Sequence, residues 1–107
     1  MPTSIASGTQ TATITTEHTL ATDTTNKTYV LVVDTAAMVN GDVLELRVYT
    51  IALTAGTERL AYFATYTHAQ SCPMTYSVPV PADISCKVTL KQTAGTGRAF
   101  PWKLLSL

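Results

Sequence analysis

Apolar and polar positions alternate with period two along most of the chain, and helical periodicity is nearly absent. The clearest case is Ile84, Cys86, Val88 and Leu90, alternating with Ser85, Lys87, Thr89 and Lys91. One face is apolar and the other wet, as in a half-buried strand. In GTQTATITT, Ala12 and Ile14 alternate with Thr11, Thr13 and Thr15. TYVLVVD, residues 28–34, is apolar on both faces and predicts a strand in the middle of a sheet. Asn40-Gly41-Asp42 is a turn signal ahead of the long run VLELRVYTIAL. ERLAYFATYT (58–67) follows, and then a stretch punctuated by Pro73, Pro79 and Pro81, which proline confines to edges and loops. The pattern predicts seven to eight strands and at most one helical turn, near Ala36–Val39. The fold class expected is all-β: one domain over residues 1–107, a compact antiparallel β-sandwich or jelly-roll-like fold, with residues 1–8 as an extended N-terminal arm.

The tetrapeptide TAGT occurs twice, at 54–57 and 93–96, each time after a predicted strand and shortly before an Arg. Both copies predict hairpin loops containing a Gly able to take positive φ. Pairing Leu53 with Glu58 makes Ile51 face Leu60 and Tyr49 face Tyr62 on one side. Leu44, Leu46, Val48 and Phe63 then lie on the other. Both faces of that hairpin are apolar, so either the chain's own termini or another subunit covers one of them. Tyrosine is enriched at interfaces, which marks Tyr49, Ile51, Leu60, Tyr62 and Tyr66 as a candidate interface. In the tail FPWKLLSL, Phe100, Trp102 and Leu104 share a face that should pack on the core, with Pro101 at an edge or bulge.

Composition adds a second hint of association. Seven basic and seven acidic residues cancel, giving no push toward nucleic acid or an anionic membrane. Charged residues are 13% of the 107, against roughly 25% in an ordinary soluble domain, and Thr, at 21 residues, fills the deficit. A surface so short of charge is poorly protected against association. The N-terminal MPTSIASGTQ has neither a basic nor an apolar signal region, and no apolar run approaches the roughly 20 residues of a membrane helix. Folding in a cytoplasm is therefore expected, with Cys72 and Cys86 reduced.

Candidate chemistry is sparse. Cys72, Cys86, His18 and His68 supply enough atoms for a zinc site, but no C-x-x-C pair exists, and Cys86 lies in the core-facing row as a small hydrophobe. Gly95-Thr96-Gly97 only faintly resembles a phosphate loop, because no helix follows it. Asn26-Lys27-Thr28 matches a glycosylation sequon by chance in a protein made in a cytoplasm. Arg47, two residues from Glu45, makes a surface ion pair. No catalytic motif is present, so neither enzyme activity nor a cofactor or metal is expected. Tyr49, Tyr62, Tyr66, Tyr76 and Trp102 could instead form a sugar-stacking platform, which is the alternative function of a carbohydrate-binding module.

Across nearly the full length, IASGTQTATITTEHTLAT, YVLVVDTAAMVNGDVLELRV and LKQTAGTGRAFPWKLLSL resemble small head decoration, or cement, proteins of tailed bacteriophages. The resemblance implies a β-sandwich or jelly-roll subunit, made in the host cytoplasm and located on the capsid exterior of the virion. Its implied partner is the major capsid protein. It also implies a homo-oligomer, a trimer more often than a dimer, with no cofactor, no nucleic acid and no membrane. Another small virion part, from the neck or tail, would share the same texture.

Overall fold

Thr, Val, Ile and the aromatics suit a pleated, half-buried backbone, and they build an all-β molecule. The computed structural model describes residues 2–107. Its nine strands are β1 (Thr3–Thr11), β2 (Glu17–Asp23), β3 (Lys27–Asp34), β4 (Val43–Thr50), β5 (Arg59–Thr67), β6 (Met74–Tyr76), β7 (Val80–Ala82), β8 (Cys86–Ala94) and β9 (Ala99–Ser106). One antiparallel sheet, A, has the order β1-β9-β3-β6, with β7 also paired to β3; the other, B, has the order β2-β8-β4-β5. The two sheets pack as a β-sandwich.

The inward row of each strand makes the core. Tyr29, Leu31 and Val33 of β3 and Phe100 and Leu104 of β9 face Leu44, Leu46 and Val48 of β4 and Cys86, Val88 and Leu90 of β8. Trp102 packs against this cluster, and its indole lies 3.5 Å from where a Cβ on Gly8 would stand. β3 is central, as its two-sided apolar pattern predicts, with β9 on one side and β6 and β7 on the other. Pro101 lies beyond the β3–β9 ladder, which ends at Val33↔Trp102, and has only Thr9 of β1 opposite it.

Four expectations are corrected. Residues 3–8 of the expected arm belong to β1, which pairs along β9; Met1 lies outside the described residues. The strand read through Ile14 ends at Thr11, because Thr13–Thr16 is a hydrogen-bonded turn carrying the chain from sheet A to sheet B. The expected helical turn near Ala36–Val39 is an isolated turn closed by Met38 N–H to the Thr35 carbonyl. The first TAGT connects the paired strands β4 and β5, but the second lies where the chain leaves β8 in sheet B for β9 in sheet A. It is a crossover between sheets.

Candidate interaction surfaces

The second apolar face is on sheet A. In β3 the outward residues are Val30 and Val32, opposite Leu105 and Lys103 of β9, and Val32 is also opposite Tyr76 of β6. Met74 pairs with Asp34 on the same face. Val32, Asp34, Met74, Tyr76, Lys103 and Leu105, with Pro101 and Trp102, line a groove of about 330 Å³ whose floor is Val32 and Leu105 and whose rim carries Asp34 and Lys103. Met74 is 50% exposed, Tyr76 60%, and Val78, just beyond β6, 55%. Ser7 and Thr9 of β1 stand opposite Lys103 and Pro101 and continue the face with hydroxyls. An apolar floor inside a polar rim is the anatomy of a contact surface.

The five expected interface residues do not come together. An extra residue in β5 at Ala61 shifts the register, so that Val48 pairs with Tyr62 while Tyr49 pairs with Leu60. A slip of one residue sends a side chain to the opposite face. Tyr62 and Tyr66 therefore turn inward with Leu44, Leu46 and Val48, packing on the core. Burial first, and then a hydrogen bond to Tyr66, pushes the Tyr62 hydroxyl up to about 12. Tyr49 and Leu60 point outward, and Ile51 is half-buried in the β4–β5 connection.

The outer face of sheet B is a polar network. The Tyr49 hydroxyl and the Thr89 hydroxyl each donate to Glu17 Oε2 at 2.7 Å. Burial alone would raise the Glu17 carboxyl; those two bonds, with the charges of Arg47 and Lys87, hold it below its ordinary value. The Lys87 ammonium lies 4.6 Å from the Tyr49 ring centroid and pairs with Glu58 at 2.9 Å. The Arg47 guanidinium lies 4.8 Å over Phe63 and bonds Glu45 at 2.8 Å, the ion pair expected from their spacing. Phe63, expected on the face of Leu44, Leu46 and Val48, thus lies outward with Tyr49, and each ring is capped by a cation.

The remaining candidate residues are dispersed. Cys86 is buried and Cys72 exposed, and both are free thiols. His18 Nε2 accepts from Thr13 N–H, and His68 Nδ1 from Gly41 N–H, so each imidazole holds a turn. Among the described residues no group of three or more His, Cys, Asp or Glu could hold a metal ion. The five aromatics of the sugar-platform alternative fall on three surfaces, with Tyr62, Tyr66 and Trp102 packed against the core and Tyr49 and Tyr76 on opposite outer faces.

No family model matches the chain, and no curated protein matches it. Among solved structures, it is similar to a chain in the structure of infectious bursal disease virus, Gx strain, at 16% identity and a TM-score of 0.46. That similarity covers 97% of this chain and 30% of the other, so the protein spans less than a third of the viral chain's length.

Proposed function

We propose that the protein is a structural virion subunit that decorates the outside of a tailed-phage head and has no catalytic role. The observation that carries this reading is the outward face of sheet A, where Met74 and Tyr76 stand exposed over a Val32–Leu105 floor. The charge-poor, threonine-rich composition and the resemblance to decoration proteins point the same way. The partner is the major capsid protein, and the subunit acts as a homo-oligomer. Its mechanism is mechanical: each copy adds interface area across a joint between capsid subunits, and lattice symmetry multiplies the gain.

The test is co-sedimentation of the purified protein with heads assembled from the major capsid protein of the same genome. The wild type should pellet with the heads and raise their thermal disruption temperature. Tyr76→Asp, at an exposed position, should remain folded and stay in the supernatant. Failure of the wild type to bind such heads would reject the reading.

A further inference from the structure

The four lateral edges of the sandwich are not alike. A sheet edge is a row of unpaired N–H and C=O groups, and soluble proteins normally blunt it with proline, charge or a bulge. The β6–β7 edge is broken at Ser77 and carries Pro79 and Pro81, with the Ser77 hydroxyl standing in for a ladder partner of Leu31. The β2 edge has Glu17, His18 and Asp23 and a register shift between Thr19 and Ala21. The β1 edge has a shift between Ser4 and Ala6 and a Gly at position 8. β5 differs. Among the described residues it is hydrogen-bonded to β4 alone, and Tyr62–Thr67, YFATYT, contains no proline, no glycine and no charge. The register shift in its ladder lies outside that stretch.

The direction of the free groups follows from parity. His68 N–H donates to the Asp42 carbonyl at 2.9 Å, so His68 turns its backbone toward β4. Alternate residues do the same, namely Tyr66, Ala64 and Tyr62. Phe63 and Thr65 therefore turn their N–H and C=O groups toward the open edge. Thr15 N–H donating to the Gln92 carbonyl fixes the same parity from the other side of the sheet, because Gln92 stands opposite Leu44.

We propose that β5 pairs antiparallel with β5 of a second copy across a two-fold axis at Ala64, joining the two B sheets into one eight-stranded sheet. An antiparallel ladder of identical strands is self-complementary, as a two-fold contact requires. In this register Phe63 and Thr65′ exchange both backbone bonds, and symmetry repeats the exchange. The small Ala64 meets its own copy on the axis. On the inner face Tyr62 stands opposite Tyr66′, so each half-buried tyrosine gains an aromatic cross-strand neighbour. No like charges meet within Tyr62–Thr67. That fit to its own copy singles out a second β5 as the occupant of the edge. The two-fold replaces the trimer that the family resemblance implies, and it is independent of docking through sheet A.

The test is mass by light scattering together with amide exchange by NMR. The wild type should show twice the 11.4 kDa of the chain at high micromolar concentration. The Phe63 and Thr65 amides should be protected there and lose protection on dilution. Thr65→Pro removes an N–H that β4 does not use and should give a folded protein of half the wild-type mass, while Thr65→Val, which keeps that N–H, should remain dimeric. A wild-type monomer, a trimer, or a dimer whose Phe63 and Thr65 amides exchange freely would overturn the proposal. If Thr65→Pro does not fold, the concentration dependence of the wild-type amides decides. Tyr76→Asp should leave the dimer intact, which separates this interface from capsid docking.

Discussion

Arg98 Nε donates to Asp42 Oδ2 at 3.0 Å, fastening the β8–β9 crossover to the turn that launches β4. The same carboxylate oxygen accepts from Val39 N–H at 3.0 Å, and Asp42 is 1% exposed. Beside it the fully buried Gln92 closes the crossover, donating to the Ala94 and Thr96 carbonyls and accepting from Arg98 N–H. These contacts hold one sheet to the other at that end of the sandwich.

Burial would raise the Asp42 carboxyl, but the Val39 N–H and the Arg98 guanidinium outweigh it and depress its folded pKa below the ordinary 3.8. The stability it supplies is present above that ordinary value and lost as the pH falls through the depressed one. Breaking a buried pair costs roughly 3–5 kcal/mol, and Asp42→Ala should sit at the low end because Arg98 is 29% exposed. Asp42→Asn should flatten the acid limb of the stability profile, measured by urea unfolding from pH 7 to pH 2.

Two glycines with positive φ separate backbone strain from crowding. Gly41 has φ 100° and open space within 4 Å of where a Cβ would stand, whereas at Gly95, with φ 91°, a Cβ would lie 1.9 Å from Asp42 Oδ1. Gly41→Ala should cost only the left-handed penalty, about 1–2 kcal/mol. Gly95→Ala should cost distinctly more, because it also dislodges Asp42. Urea midpoints of the two variants measure the difference, and equal values would refute the crowding.

The strands that the sequence makes legible are those with one uninterrupted alternation. Cys86, Val88 and Leu90 point inward as their pattern predicts, and so do Phe100 and Leu104. β3, apolar on both faces, is readable as a central strand. The two faces of β5 are not, since a single extra residue at Ala61 swaps them from Tyr62 onward and no residue type there announces a bulge. The second TAGT resembles the first in sequence, yet its role depends on Asp42 and Ala12, which are remote along the chain and press on Gly95 and Gly97. The apolar face of sheet A is concealed for a different reason. Met74 and Tyr76 come from a three-residue strand among prolines, too short to show a period.

The two cysteines should differ sharply toward a thiol reagent. Burial, and then the charge of Asp23, pushes the Cys86 thiol up to about 11, while Cys72 is exposed. One equivalent of iodoacetamide should react in the native state and two after denaturation, counted by mass spectrometry. Folding favours the protonated Cys86 thiol, so its contribution is intact below its ordinary value of 9 and lost as the pH rises toward 11. Cys86→Ala removes one core sulfur and should cost on the order of 1 kcal/mol.

Truncation after Arg98 tests whether the C-terminal segment is architecture or a docking tail. β9 lies between β1 and β3, so its loss strips β1 of its ladder and exposes one side of the central strand. It also removes Phe100 and Leu104, both fully buried, and the partly buried Trp102. At roughly 1.5–3 kcal/mol for each fully buried large side chain, the apolar loss alone is comparable with the roughly 5–15 kcal/mol of a whole small domain. The truncated chain should be insoluble or lack a cooperative thermal transition by circular dichroism. Phe100→Ala, which keeps the ladder, should fold with a loss of about 3–5 kcal/mol, separating core packing from strand pairing. A truncated protein that melts cooperatively with a native strand signal would show that β9 is dispensable, and the centre of sheet A would have to be reassigned.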